Sequence, residues 1–307
     1  MKIGIIGAGN VGSATAFALI LRGIAREIIL IDNNEKKAIA EAIDISHATT
    51  FAYASVVRAG TYSDLTCADV VIISAGANQK NGETRIALME RNVEILRSII
   101  CQIVHYAPET IILVASNPVD IMTYYSLKIS GLPTHKVFGS GTILDTSRFR
   151  TLLGEHMGVS SKSIHANVLG EHGDSEVLVW SNADAGTMPL ETLSKELNRE
   201  FDWEVKAYID DNVRNAAYKI IEGKGATFYG IAGGLSRICQ AISTNENAIL
   251  TVSSLHEEIE GINNVCLSLP SIINKNGIEK VIYPKLTPEE HILLKSSAEK
   301  LKEYMSF

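Results

Sequence analysis

The chain has 307 residues, more than the ~150 typical of one domain, so two domains or one large one are expected. Hydrophobic residues make up 46% of it, enough for a sizeable core, while 21% charged residues, a net charge of −7 and the lack of a long basic block argue against a nucleic-acid partner. No apolar run reaches the ~18 residues of a membrane span, and "MKIGIIGAGNVG" enters a structural motif at once, so a cytoplasmic protein with neither membrane segment nor signal peptide is expected. Cys67, Cys101, Cys239 and Cys266 form no C-x-x-C pair and have no histidine at ligand spacing, which predicts reduced core thiols and no metal site.

In chain order, "KIGIIG" reads as a strand, "VGSATAFALILRG" as a helix, "EIILID" as a strand and "NEKKAIAEAIDISHA" as a helix. Strands "VVRAG" and "DVVIISAG" follow, then a long helix from near Thr84 that ends before Pro108, and the strand "TIILVAS". Short strands that are apolar on nearly every residue are buried on both faces, so this half is a doubly wound parallel sheet of the Rossmann type, an α/β fold spanning 1–140. The texture then changes to a helix "LDTSRFRTLLGEHMG", a strand "SIHANVLG", a long helical stretch through "VRNAAYKIIEGKG", and hairpins with an Asn-Gly turn in "NNVCLSLPSIINKNGIEKVIY". A last helix has Thr287 as N-cap, Pro288 at its first position and Glu290 in the capping box. Residues 141–307 therefore read as a mixed α+β substrate domain, packed on the first rather than tethered to it.

The fingerprint lies in "GIIGAGNVGSA". Gly7, Gly9 and Gly12 have G-x-G-x-x-G spacing directly after a strand and open a helix, with Asn10 and Val11 inside the turn. The helix N-terminus has unpaired N–H groups and a favourable dipole for a pyrophosphate. Asp32 ends the second strand, where a carboxylate accepts hydrogen bonds from a ribose hydroxyl and repels a 2′-phosphate. The expected cofactor is NAD rather than NADP.

Three further stretches carry chemistry. "ASNPVD" ends a strand with Asn117, at the sheet edge where open α/β sheets bind ligands. "TILDTSRFR" places Asp145 and Arg148 three apart on one helix face; spacing alone favours a surface ion pair over a site. "GEHGDSE" sets His172 among glycines and acids, an unusual setting for a core histidine.

Together "GAGNVG", "GANQKNGETR", "ASNPVD", "GSGTILDTSRFR", "GEHGDSE" and "GKGATFYGIA" resemble the L-lactate/L-malate dehydrogenase family over essentially the whole chain, and most of all its bacterial lactate-type members. The resemblance implies that His172 donates the proton, that Asp145 orients and stabilises its imidazolium, and that Arg148 clamps the substrate carboxylate with two parallel hydrogen bonds. It implies that Arg85 stabilises the developing alkoxide, that Asn117 lines the cofactor and carbonyl site, that Thr227 lines the substrate pocket and that Ile231 faces the nicotinamide.

Position 79 separates the two branches of the family. Lactate-type members carry glutamine here, as this chain does, whereas malate-type members carry arginine to pair a second carboxylate. With Gln79 neutral, oxaloacetate would bring an unpaired charge into a closed site, at a cost of about 3–5 kcal/mol. Pyruvate and L-lactate are therefore the expected substrates. Asn81 stands where the family loop commonly has proline, which bears on loop closure. Arg150 and His165 occupy positions at which similar bacterial enzymes bind fructose 1,6-bisphosphate between subunits, and the family's usual assembly is a homotetramer. The alternatives at this stage are a malate dehydrogenase, a dehydrogenase of longer-chain 2-hydroxy acids, and an NAD-binding module without catalysis, the last opposed by intact His172, Asp145, Arg148 and Arg85.

Overall fold

The computed structural model describes residues 1–77 and 85–305, the side chains of residues 85 and 86 excepted. Its first half runs β1 (Lys2–Ile6), α1 (Asn10–Leu21), β2 (Glu27–Ile31), α2 (Glu35–His47), β3 (Val56–Ala59), β4 (Val70–Ile73), α3 (Arg85–Tyr106), β5 (Ile111–Val114), α4 (Val119–Ser130) and β6 (Val137–Gly139). The second half runs α5 (Ile143–Met157), β7 (Ile164–Leu169), β8 (Val177–Ala185), β9 (Met188–Pro189), α6 (Leu190–Glu196), α7 (Trp203–Arg214), α8 (Ala216–Lys224), α9 (Tyr229–Ser243), β10 (Ala248–Ile259), β11 (Ile262–Asn274), β12 (Gly277–Val281) and α10 (Pro288–Tyr304).

Nine strands form one sheet in the order β12-β11-β10-β6-β5-β4-β1-β2-β3. The strands β1 to β6 are parallel, in the 3-2-1-4-5-6 order of a doubly wound nucleotide-binding fold, as the alternation of apolar runs and helices predicts. Every residue of β4 and β5 is buried, because helices cover both faces. On one face, Ile6, Ile73, Leu96, Ile100, Leu294 and Leu301 pack together from the sheet, α3 and α10. On the other, Ile3, Ile5, Leu19, Ile20, Leu235 and Ile238 join the sheet to α1 and α9.

The sheet does not stop at β6. Antiparallel β10 joins it through the pair Ser253 and Gly139, so strands of the second half extend the sheet of the first. The connection Lys275–Asn276 closes the β11–β12 hairpin, with Asn276-Gly277 at the turn. A second, three-stranded sheet, β7-β8-β9, packs against α5 and α7 and is stitched to β11 by a bridge between Gly170 and Ser268.

Two expectations need correction. The helical stretch leading to Gly225 is two helices, broken at Asn215, where φ −90° and ψ 1° leave the helix and the side chain donates to Asp211 Oδ1 at 2.7 Å. The cysteines are not all core residues: Cys239 and Cys266 are buried, but Cys67 and Cys101 are exposed, on a turn and on the outward side of α3. All four are free thiols. Among the described residues no helix is long and apolar enough to cross a membrane.

The capping box read at the last helix is present: Glu290 N–H donates to Thr287 Oγ1 at 3.2 Å, and Thr287 N–H to Glu290 Oε2 at 2.9 Å. Glu290 also accepts from the N–H and hydroxyl of Ser181, which ties α10 to β8.

Candidate active site

The cofactor crevice forms at the C-terminal ends of β1 and β4, where the strand order reverses. Gly7 has φ +104°, and a Cβ on Gly12 would stand 1.9 Å from the Gly7 carbonyl oxygen, so this turn admits only glycine at both places. Among the described residues no atom approaches within 4 Å of a Cβ built on Gly9, which leaves its backbone open to a ligand. No side chain caps α1 at Gly9, and the first-turn N–H groups of Asn10 and Val11 are left for an anion.

A cavity of about 910 Å³ lies over this turn, lined by Gly7, Gly9, Asn10 and Asp32 on one side and by Gly225 and Ala226, next to Thr227, on the other. Asp32 is held in place by the N–H groups of Ala8 and Asn34, at 2.7 and 2.8 Å, one on each oxygen. Each oxygen keeps a further lone pair for a ribose hydroxyl. The glycine cradle, the uncapped helix and the fixed carboxylate fit a dinucleotide without a 2′-phosphate. Ile231, on α9, packs half-buried beside the core on the α1 side, and Asn117, in a cis peptide with Pro118, is exposed just past the end of β5.

The acid–base group is assembled from two separate parts of the second half. Helix α5 presents Asp145, 2% exposed, and one turn later Arg148, whose Nη1 donates to Asp145 Oδ1 at 2.8 Å. The pair exists, but in the interior rather than on the surface. The loop after β7 brings His172, whose Nδ1–H donates to the other carboxylate oxygen at 2.6 Å. One carboxylate thus serves both cations. Burial would raise the Asp145 pKa, but the charges and hydrogen bonds of His172 and Arg148 outweigh it and hold the group below its ordinary value. Burial likewise works against a charged His172. Asp145 overrides it, with Asp120 and Glu176 adding to the effect, and the imidazole is pushed up to about 9.

The arrangement can therefore hold an imidazolium at neutral pH, with Nε2 left to give a proton to an oxygen in front of it. Arg148 uses one of five N–H donors on Asp145 and keeps the rest for a carboxylate. Gln79 and Asn81 lie outside the described residues, as does the side chain of Arg85, whose backbone opens α3.

Two buried acids near His172 escape a sequence reading, although both stand in quoted motifs. Glu176, 4% exposed, has an oxygen with no hydrogen-bond partner among the described residues, and burial together with the charge of Asp145 pushes its carboxyl up to about 8 despite Arg214, His172 and Arg148. Asp120, 2% exposed, follows Pro118 on α4. Burial is the missing signal, and local spacing does not supply it.

A nucleotide crevice together with a buried carboxylate that holds an imidazole and a guanidinium fits an NAD-linked oxidoreductase acting on a small anionic substrate. Comparison with known proteins agrees. Residues 1–139 match the model of the lactate/malate dehydrogenase NAD binding domain, and residues 142–306 that of the family's alpha/beta C-terminal domain. The chain is 51% identical over 302 residues to the L-lactate dehydrogenase of Thermus aquaticus, covering 98% of this chain and 97% of that one. It is 52% identical over 303 residues to that of Allorhizobium ampelinum, covering 99% and 98%. A lactate dehydrogenase from a Medee basin deep-sea metagenome library superposes with a TM-score of 0.97 at 40% identity, over 100% of this chain and 99% of that one. The minor L-lactate dehydrogenase of Enterococcus mundtii superposes with a TM-score of 0.95 at 39% identity, over 99% and 97%. The chain belongs to the lactate/malate dehydrogenase family, and it is an NAD-dependent oxidoreductase.

His172→Ala removes the imidazole that bonds Asp145 without touching the cofactor cavity. Turnover is expected to fall by about 10² to 10⁴, while NADH affinity, followed by the fluorescence of the bound dinucleotide, stays within a factor of about two.

Proposed function

We propose that the chain works as an L-lactate dehydrogenase, interconverting pyruvate and L-lactate, with residues 1–140 as the cofactor half and 141–307 as the substrate half. The observation that carries this reading is the single buried Asp145 carboxylate holding His172 at 2.6 Å and Arg148 at 2.8 Å. Arg148 receives the substrate carboxylate, and its planar fork sets the orientation of the keto group. Bound NADH supplies the hydride. His172 delivers a proton from Nε2 to the keto oxygen, while Asp145 keeps Nδ1 protonated and the ring in one orientation. Arg85 closes from the start of α3 to stabilise the alkoxide, Asn117 holds the carbonyl end, Thr227 bounds the pocket and Ile231 supports the nicotinamide. In the reverse direction neutral His172 takes the hydroxyl proton of lactate.

Support for pyruvate over oxaloacetate comes from Gln79, which offers no charge to a second carboxylate, and from relatives that are named L-lactate dehydrogenases at about half identity. In the parent, pyruvate is expected to lead oxaloacetate in kcat/KM by about 10² or more, from a penalty of about 3–5 kcal/mol. Gln79→Arg is expected to recover most of that factor for oxaloacetate. Initial rates of NADH oxidation with pyruvate, oxaloacetate and 2-ketoisocaproate check it, and an oxaloacetate or branched-acid preference in the parent would overturn the assignment.

The reading includes an effector site and a homotetramer in the cytoplasm. Arg150 Nε donates to Ala166 O at 2.8 Å and Nη2 to Asn167 Oδ1 at 3.3 Å, which lays the guanidinium along β7, the strand that carries exposed His165. We read the two side chains as parts of one site for a sugar phosphate such as fructose 1,6-bisphosphate. Exposed apolar side chains around α2, with Phe51 at 90% and Tyr53 at 67%, support burial against further copies. Added fructose 1,6-bisphosphate is expected to lower the apparent KM for pyruvate, and Arg150→Gln to abolish that response without changing the basal rate. A saturation curve and an assembly state that the effector leaves unmoved would remove the effector site from the reading.

A further inference from the structure

The loop that carries His172 belongs to neither a helix nor a sheet, so its main chain has to be held from outside. Three successive N–H groups do this, each on a different element. Gly170 N–H donates to Ser268 O of β11 at 3.0 Å, Glu171 N–H to Ser297 Oγ of α10 at 2.8 Å, and His172 N–H to Asp120 Oδ2 of α4 at 2.8 Å. The last of these acceptors is a buried acid whose other oxygen, Oδ1, has no hydrogen-bond partner among the described residues. The buried Ser253 hydroxyl of β10 stabilises the carboxylate without a well-formed hydrogen bond to it. A neutral acceptor would hold an N–H as well, so a buried carboxylate here needs a reason of its own.

We propose that Asp120 is a positioning residue for the reaction: it fixes the main chain of His172 and sets a second negative charge behind the imidazolium that Asp145 holds from the side. This rests on His172 being the proton donor. The groups acting on the imidazole are Asp145 of α5, Asp120 of α4 and Glu176 of the loop, and those acting on Asp120 are His172 and Glu171 of the loop and Ser253 of β10; Arg148 of α5 acts in turn on Asp145 and Glu176, and Arg214 of α7 on Glu176. Among them Asp145 acts on the ring itself and Asp120 on the residue's backbone, so the donor is gripped at both ends. Burial pushes the Asp120 carboxyl up to about 6, and Asp145 with its neighbours pushes His172 up to about 9. Between those values Asp120 is an anion and His172 a cation, each favouring the charged form of the other.

Asp120→Asn separates the two parts of the role, because the amide oxygen can still accept the His172 N–H while the charge is gone. With NADH saturating, kcat/KM for pyruvate in the parent is expected to fall at alkaline pH as His172 deprotonates. In Asp120→Asn this limb is expected to move down by about half a pH unit or more, with NADH affinity unchanged. Asp120→Ser, neutral and too short to reach the N–H, is expected to show the same displacement together with a roughly 10-fold lower kcat at every pH. It also serves as the second test should the asparagine variant not fold. A limb that stays where the parent has it, in whichever variant binds NADH normally, overturns the proposal; a purely structural Asp120 would lower the melting temperature and leave the limb in place. Failure of His172 as the donor is distinguishable, since the parent itself would then show no such limb.

Discussion

The site depends on one buried carboxylate. Asp145 is 2% exposed, and an isolated anion at that depth would take up a proton rather than stay charged. It stays charged because Arg148 and His172 each bond one of its oxygens, and the same contacts fix where both cations point. Removing one partner of such a pair costs about 3–5 kcal/mol, which is why the arrangement is rigid before any substrate arrives. Imidazole and guanidinium are thus held at a set separation by one carboxylate between them.

The fold delivers the parts of that cluster from distant stretches. Strand β6 ends the parallel sheet and leads directly into α5, which carries Asp145 and Arg148 in its first two turns. Strands β10 and β11 then extend the same sheet, and β11 bonds the loop that carries His172. Because α9 of the second half packs on α1 of the first, the chain that follows Gly225 closes the far wall of the cofactor cavity. The cofactor cavity and the Asp145 cluster are thus joined through one continuous sheet.

Much of this is legible in the sequence, for reasons that differ by residue. The apolar runs of β4 and β5 announce strands buried on both faces, and Gly7 and Gly12 of the glycine motif report backbone contacts so close that no other residue fits. The capping box at Thr287 and Glu290 is local chemistry and is found where it is read. Burial is different, since it arises from elements far apart in the chain. Spacing alone makes Asp145 and Arg148 an ordinary surface pair, and nothing local marks Asp120 or Glu176 as interior acids. The same gap hides the exposure of Cys67 and Cys101, since apolar residues nearby in sequence do not fix which side of an element a thiol faces.

The most direct measurement is the alkaline pKa of kcat/KM for pyruvate, at saturating NADH, in the parent and in Asp145→Asn. If the shared carboxylate governs the site, the parent value lies near 9 and the variant's falls well below it, because burial then opposes only the remaining charges of Asp120 and Glu176. Equal values in the two proteins would mean that Asp145 does not set the charge of His172, and the central interaction described above would be wrong.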